Sequence, residues 1–260
     1  MLYEANPEIK KKIAPFFHGM KDTTILSCLQ GHMGNAWVNN KEKPEAAQIT
    51  VGDFTFLAGD PFANGAEDLL KNVPEHILAI VHKKAWKQRI EEIHKENAER
   101  ILRYGFRKEP EDLDLNHLRK LSSKLPDGYE LRKIDENIVS LPSLFKVSPD
   151  FIKQFDSVED FLRRGTGFAV LHDGEVVSAA ASYSIYDEGI EIEIVTADTY
   201  RKKGLATCVA AALMVDCLEK GLYPSWDAAN TNSVKLAQKL GYVTTGSYDT
   251  YYIHTPASKA

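Results

Sequence analysis

Residues 190–207 read IEIEIVTADTYRKKGLAT, and this stretch decides how the rest of the chain is interpreted. Apolar and charged side chains alternate at its start, which predicts a strand over Ile190–Thr196. A short loop follows, and Gly204 then opens a nearly all-apolar segment that reaches about Lys220. Such a segment predicts a helix that is covered on several sides. A strand that feeds a helix in this way directs N–H groups and the positive end of the helix dipole at one point, so the sequence predicts an anion site there.

The flanking sequence predicts a meander before this stretch and further elements after it. The Asp173-Gly174 step suits a tight hairpin, because glycine tolerates positive φ. The order of elements predicts an α+β or mixed α/β fold with a mostly antiparallel sheet, flanking helices and one crossover helix. In the carboxy-terminal half we predict strands at Tyr129–Lys133, Phe168–Leu171, Glu175–Ile185, Ile190–Thr196, Ser225–Ala229 and Tyr242–His254, with a helix at Asn232–Leu240.

The amino-terminal half has weaker signals. Between Thr23 and Gly59 we predict short strands joined by polar turns, beginning with the apolar segment Ile25–Leu29. A long amphipathic helix is predicted over Lys83–Phe106. An acidic stretch and a turn at Pro126 then mark a change of composition. The sequence therefore predicts a smaller α+β domain over residues 1–125 and a second domain over residues 126–260.

The loop of the predicted anion site has the composition that a phosphate group needs. Arg201, Lys202 and Lys203 supply positive charge, and Gly204 and Ala206 keep large side chains out of the way. The loop lacks the Gly-Lys-Ser/Thr of a Walker A motif and the Gly-x-Gly-x-x-Gly of a dinucleotide fold. A different diphosphate ligand is indicated.

The segment Arg201-Lys-Lys-Gly204-Leu-Ala206 resembles the Arg/Gln-x-x-Gly-x-Gly/Ala signature of the GNAT superfamily, the coenzyme A-dependent N-acetyltransferases. The resemblance covers the carboxy-terminal half, including Leu236–Tyr242, which is similar to the family's helix with its Lys-x-Gly-aromatic end. It implies a GNAT domain over 126–260 that transfers an acetyl group from acetyl-CoA, as cosubstrate, to an amine. The residues implied for coenzyme binding are Val195, Thr196, Ala197, Arg201, Lys202, Lys203, Gly204, Leu205, Ala206, Thr207, Asn230 and Ser233.

The amino-terminal half resembles the leading segment of two-part bacterial GNAT proteins and could be a degenerate relative of the same fold. It lacks a phosphate loop. We expect it to close the substrate site or to serve in assembly.

Three residues are candidates for catalysis. Glu191 and Glu193 lie two apart on one strand and share a face, so either could take a proton from the amine, directly or through a water. We expect Glu193 to matter more, because Glu191 lies about 7 Å further from the strand end where the thioester would rest. They could also be no more than the solvent-facing side of the alternation. The resemblance implies that a backbone N–H near Thr196 donates to the developing oxyanion.

The general acid is the point at which the chain departs from the family pattern. The position that often carries a tyrosine holds Ala237, whose methyl group cannot donate a proton. Either the thiolate leaves without a dedicated acid, or another hydroxyl reaches the sulfur, for which the candidates are Tyr242, Tyr248 and Tyr252.

Composition narrows the classes of partner. The net charge of −5 argues against nucleic acid and anionic membranes, and no apolar run approaches the roughly 18 residues of a membrane span. The three cysteines form no Cys-x-x-Cys pair and the eight histidines show no ligand spacing, so we expect a reducing cytoplasm and no metal. The expected partner is a small-molecule amine, and a homodimer stays open. The alternative function is a non-catalytic acyl-CoA-binding or regulatory module.

Overall fold

The computed structural model describes residues 1–255 and divides the chain into two compact units. The amino-terminal unit comprises Met1–Arg103 and Ser247–Ala260, and the central unit comprises Tyr104–Gly246. Among residues 1–255, no helix combines the length and the apolar character that crossing a bilayer requires.

Within the described chain the strands are β1 (Tyr3–Glu4), β2 (Asn35–Val38), β3 (Ala46–Val51), β4 (Phe54–Gly59), β5 (Ile77–Val81), β6 (Ala98–Phe106), β7 (Tyr129–Lys133), β8 (Gly167–His172), β9 (Glu175–Tyr186), β10 (Gly189–Thr196), β11 (Tyr223–Ser225) and β12 (Thr244–Ile253). The α-helices are α1 (Pro7–Ile13), α2 (Thr23–Leu29), α3 (Ala66–Lys71), α4 (Lys84–His94), α5 (Leu115–Ser122), α6 (Glu136–Val139), α7 (Pro142–Val147), α8 (Asp150–Lys153), α9 (Val158–Arg164), α10 (Leu205–Glu219) and α11 (Thr231–Leu240).

The division into units differs from the predicted boundary at 125/126 in two respects. The chain enters the central unit earlier, because α5 packs against α10. Its last strand returns to the amino-terminal unit, where Tyr251 of β12 pairs with Ala79 of β5. Neither contact is local in sequence, so composition could not indicate it.

The amino-terminal unit contains a seven-stranded sheet in the order β1-β2-β3-β4-β5-β12-β6. β2, β3 and β4 are antiparallel neighbours, whereas β4 and β5 are parallel. Apolar side chains of α3 and α4 pack with this sheet in one buried cluster, to which Leu70, Trp86 and Tyr251 belong. Burial of this cluster is what stabilises the unit.

Two predicted elements of this unit are wrong, and a third element was missed. Ile25–Leu29 lies in helix α2 and not in a strand, and strand β5 was not predicted. The helix predicted over Lys83–Phe106 ends at His94, after which Lys95 has a φ of 49° and the chain continues as β6. Ala98–Phe106 is extended because it pairs with β12, about 150 residues later, and this pairing overrides its helical pattern.

The central unit contains a five-stranded sheet in the order β11-β10-β9-β8-β7. β7 to β10 form the predicted antiparallel meander, and β10 and β11 are parallel neighbours joined through α10. α10 packs against β8, β9 and β10, and α7 and α8 pack against β9. The fold is therefore the predicted mixed α/β arrangement with a mostly antiparallel sheet.

Candidate active site

β10 pairs with β9 along its whole length but with β11 only at its beginning. The pairing with β9 runs from Gly189 to Thr196, whereas the pairing with β11 ends at Glu191. Beyond β11 the chain turns to another partner, since Ala228 exchanges backbone hydrogen bonds of 3.0 and 2.9 Å with Tyr104. The strand predicted at Ser225–Ala229 is shorter for this reason. The edge of β10 over residues 192–196 is thus not paired with β11.

The direction of the backbone groups on this edge follows from one hydrogen bond. Ala197 N–H donates to Val177 O of the β9 side at 2.9 Å. Successive residues of a strand point their N–H and C=O groups to opposite sides, so Thr196 and Ile194 direct theirs to the unpaired edge. Arg201 Nε lies 3.4 Å from Thr196 O, in agreement with this direction.

The three residues predicted to contact the pantetheine therefore differ in whether their backbone groups face the open edge. Ala197 is committed to β9, and Val195 O accepts a hydrogen bond from Ser178 Oγ of β9 at 3.2 Å. Thr196 presents its backbone at the open edge, while its own hydroxyl lies 2.7 Å from Ser178 Oγ. Ile194, which sequence reasoning missed, shares the open edge with Thr196. Strand alternation could have found it once the side facing β9 was known.

The loop after β10 ends in a left-handed glycine that begins α10. Gly204 has φ 83° and ψ −1°, and a Cβ placed on it would meet nothing within 4 Å. The first hydrogen bond of the helix runs from Cys208 N–H to Gly204 O at 3.1 Å. The N–H groups of the first turn, Leu205 to Thr207, lie before this bond and have no acceptor inside the helix. Open space thus adjoins an N-terminus rich in donors.

The three cations of the loop are exposed. Arg201 forms an ion pair of 2.7 Å with Asp198. Lys203 Nζ donates to Tyr129 Oη at 3.0 Å and lies 5.0 Å from the centroid of the Tyr200 ring. The hydrogen bond with Tyr129 raises the pKa of Lys203. The loop therefore keeps its positive charge.

Three other predicted coenzyme residues have structural partners. Asn230 Oδ1 caps α11 by accepting the N–H groups of Asn232 and Ser233, each at 3.0 Å. Ser233 Oγ accepts from Trp226 Nε1 at 3.1 Å, and Thr207 Oγ1 accepts from Lys239 Nζ at 3.2 Å. These side chains fasten α11 to the elements around the loop.

The two strand glutamates have different surroundings. Glu193 lies on the part of β10 that has left β11, and its Oε1 accepts a hydrogen bond of 2.9 Å from Ser148 Oγ. Glu191 lies where β10 is still paired on both sides, and it is 8% exposed. Burial, and next the charge of Glu191, raise the pKa values of Tyr186 and Tyr223. Glu191 is thus enclosed between two strands, whereas Glu193 is half-buried and lies beyond the part of β10 that pairs with β11.

The residues considered for the general acid differ in their burial and in their hydrogen-bond partners. Ala237 is fully buried in α11. Tyr242 is buried, its hydroxyl donates to Pro224 O, and burial raises its pKa well above the ordinary value. Tyr248 and Tyr252 belong to the amino-terminal unit, where Tyr252 Oη lies 3.1 Å from His76 Nδ1. Tyr242 therefore holds its proton tightly and directs it at a carbonyl.

The cysteine beside the loop is not a nucleophile in this structure. Burial raises the pKa of Cys208 to about 11. Its thiol donates to Ser122 O at 2.8 Å. A protonated, hydrogen-bonded thiol is a poor nucleophile. Among the described residues, no group of three or more His, Cys, Asp or Glu side chains is arranged to hold a metal ion.

Comparison with known proteins identifies the family. A family model described as GNAT acetyltransferase matches residues 14–251, beginning well before the predicted boundary at 126. An uncharacterised N-acetyltransferase of Bacillus subtilis, YdfB, is 36% identical over 247 residues, covering 91% of this chain and 89% of the relative. The crystal structure of a GCN5-related N-acetyltransferase-like protein from Streptococcus suis has a TM-score of 0.86 and 39% identity, covering 94% of this chain and 98% of the other.

A more distant structure, a GCN5-related N-acetyltransferase from Sphaerobacter thermophilus, has a TM-score of 0.56 over 96% of this chain and 94% of the other. At 11% identity this likeness concerns the fold alone. The family match and the Bacillus relative each span most of the chain. The chain therefore belongs to the GNAT acetyltransferase family, and it is an acyltransferase that transfers an acetyl group to an acceptor.

Proposed function

We propose that this chain transfers the acetyl group of acetyl-CoA to the amine of a small acceptor, and that the chemistry takes place at the open edge of β10. The observation that carries the proposal is the early departure of β11, which leaves residues 192–196 without this neighbouring strand directly before the loop and the start of α10. An unpaired strand edge offers N–H and C=O groups at regular spacing to an extended, amide-containing ligand.

The residues present fit coenzyme A. A diphosphate needs N–H donors, positive charge and room for close approach, and the loop has all three: the first turn of α10, the exposed cations, and the open space at Gly204. We propose that Arg201–Thr207 hold the diphosphate and that the backbones of Ile194 and Thr196 hold the pantetheine amides. Asn230 and Ser233 would act indirectly, by fixing α11.

Few groups of this chain would take part in the acetyl transfer itself. When bound, acetyl-CoA supplies the acetyl group as a thioester. Glu193 would take the proton of the attacking amine, and the N–H of Thr196 would donate to the oxygen on which negative charge develops. Glu191 would have a structural role inside the sheet, because it is enclosed. Tyr242 would stay on Pro224 O, which leaves this site without a tyrosine acid from α11 or the segment after it.

The amino-terminal unit would have a supporting role. It repeats the arrangement of the central unit, since three antiparallel strands are followed by a glycine-capped helix and a parallel fourth strand. However, β5 stays paired with β4 as far as Leu57 and Val81, and the loop at 60–65 contains no lysine or arginine. We propose that this unit binds no coenzyme. We also propose a cytoplasmic location, which is supported by the described cysteines, since all of them are buried free thiols.

The test of the coenzyme site compares two glycines at opposite ends of α10. Gly204→Glu puts a carboxylate beside the proposed diphosphate, whereas Gly221→Glu imposes a similar left-handed strain, at φ 72°, beyond the other end of the helix. Fifteen helical residues separate the two ends by about 22 Å. We expect Gly204→Glu to weaken the affinity for coenzyme A at least about 100-fold, by charge repulsion and lost space. Calorimetry on both folded variants measures it.

Equal affinity in Gly204→Glu and Gly221→Glu would refute the loop assignment. A separate experiment seeks the acceptor by measuring the release of free coenzyme A with polyamines, aminoglycosides, amino acids and peptides. Tight coenzyme binding with no release on any amine would favour the non-catalytic alternative.

A further inference from the structure

Ser148 lies in the connection between α7 and α8 and is 7% exposed. Pro149 follows it, and a residue before proline is driven out of the helical region. Ser148 accordingly has φ −160° and ψ 126°, and its own N–H donates to Leu144 O at 3.1 Å. The backbone at Ser148 is therefore fixed on both sides, so its hydroxyl has a defined place.

Two hydrogen bonds determine which way this hydroxyl donates. The N–H of Asp150 donates to Ser148 Oγ at 3.2 Å, which uses an acceptor position of the hydroxyl oxygen. The hydroxyl oxygen lies 2.9 Å from Glu193 Oε1. An ionised carboxylate only accepts, so the hydroxyl proton of Ser148 points at Glu193. The chain of donors runs from the backbone of α8 through Ser148 to the strand glutamate.

We propose that Ser148 is a positioning residue for acetyl transfer, whose hydroxyl holds the carboxylate of Glu193 in the orientation in which it takes the proton of the amine. The inference rests on the proposed role of Glu193 as the base. In the step itself an N–H bond of the amine breaks and an O–H bond forms on Glu193, while Ser148 keeps its own proton. Ser148 acts through Glu193 and touches neither reactant.

The elements that carry this pair also contain other charged side chains. The residue opposite Glu193 on β9 is Ala181, which carries no charge. Asp150 of α8 is paired with Lys153 at 3.5 Å, and it contributes its backbone N–H, not its carboxylate, to Ser148. The charged side chains on β10 and on the α7–α8 segment are Glu191, Lys146, Asp150 and Lys153. None of these is a hydroxyl that could replace Ser148.

The experiment compares three serine variants in the full chain, with acetyl-CoA and an amine that the release assay has identified. Ser148→Ala removes the donor to Glu193, and Ser148→Thr retains a hydroxyl. Ser143→Ala is the matched control, because Ser143 is a buried serine of the adjoining helix α7 whose hydroxyl accepts from Val176 N–H at 2.9 Å. Thermal unfolding of each variant reports purely structural effects.

We expect Ser148→Ala to lower kcat roughly tenfold through loss of orientation, with the KM for acetyl-CoA changed less than about twofold. The acid limb of the kcat profile should move to higher pH, because an ionised carboxylate loses a donor. Ser148→Thr should restore both, and Ser143→Ala should move neither. In a Glu193→Gln background, Ser148→Ala should have no further effect on kcat.

Two results would overturn the inference while leaving the base assignment intact. One is a wild-type pH profile and kcat in Ser148→Ala although Glu193→Gln is inactive. The other is an equal loss of kcat from Ser148→Ala with and without Glu193→Gln, which would mean that the hydroxyl acts independently of the glutamate. If instead Glu193→Gln alone keeps its rate, the proposed function of Glu193 fails, and Ser148 has no base to position.

Discussion

Replacing Glu193 by glutamine tests the chemistry most directly. Glutamine keeps the shape of the side chain, and its amide oxygen can still accept the hydrogen bond that Ser148 Oγ makes with Oε1. The strand and its pairing with β9 should be unaffected, because Glu193 lies opposite the small Ala181. What the substitution removes is the ability to take a proton.

The expected loss is large and confined to turnover. A general base contributes roughly 100- to 10,000-fold, which corresponds to about 3 to 5 kcal/mol of activation free energy. The affinity for coenzyme A should change little, since Glu193 is not part of the loop that holds the diphosphate. The acid limb of the kcat profile, where a carboxylate base becomes protonated as the pH falls, should disappear in the variant.

The assay measures the release of free coenzyme A against pH at a saturating amine concentration. Glu175→Gln is the control, because Glu175 is an exposed glutamate at the start of β9. If Glu193→Gln keeps both the rate and the pH profile of the unmodified protein, Glu193 is not the base. The amine would then enter already deprotonated, or a different group would take its proton.

Three further outcomes follow from the same geometry. Cys208→Ala should retain turnover. The Cys208 thiol, with its pKa of about 11, should be only about one part in a thousand thiolate at pH 8 and should therefore be alkylated slowly. An acetyl group found on Cys208 before the acceptor is added would contradict direct transfer. Glu191→Gln should lower the midpoint of thermal unfolding more clearly than it lowers kcat, because Glu191 is enclosed between β9 and β11; a loss of kcat as large as that of Glu193→Gln would contradict the division of roles. Calorimetry should give one coenzyme A per chain, and two sites would show that the amino-terminal unit also binds it.

Sequence reasoning was accurate where the signals are local. The meander from β8 to β10 follows from alternation and from the Asp173-Gly174 turn, and α10 follows from its apolar composition. It failed where a distant partner decides the conformation. Ala98–Phe106 has apolar residues at helical spacing but is a strand, because β12 lies beside it at the other end of the chain. No window of neighbouring residues contains that information.

The candidate site likewise contains residues that local sequence predicts and residues that only distant contacts bring together. The sequence predicts the loop cations from their place before a helix start and the two glutamates from their spacing, since spacing along a strand determines the face on which a side chain lies. Glu193 is preferred over Glu191 from its place nearer the strand end, but the point at which β11 leaves β10 could not be predicted. Ser148 could not be predicted either, since it lies 45 residues before Glu193 and is brought to it by the packing of α7 and α8 on β9.

A comparison of the two units indicates what the proposed coenzyme site needs besides the glycine of the loop. Gly65 and Gly204 begin their helices with almost the same backbone, at φ 84°, ψ 1° and φ 83°, ψ −1°. A Cβ on Gly65 would lie 3.4 Å from Cβ of Asn39, however, while one on Gly204 would lie in open space. In the amino-terminal unit the parallel strand also continues beside its neighbour, whereas in the central unit the hydrogen bonds between Ala228 and Tyr104 draw the chain away. The proposed site therefore depends on the departure of a strand, and the glycine only permits the helix to start beside it.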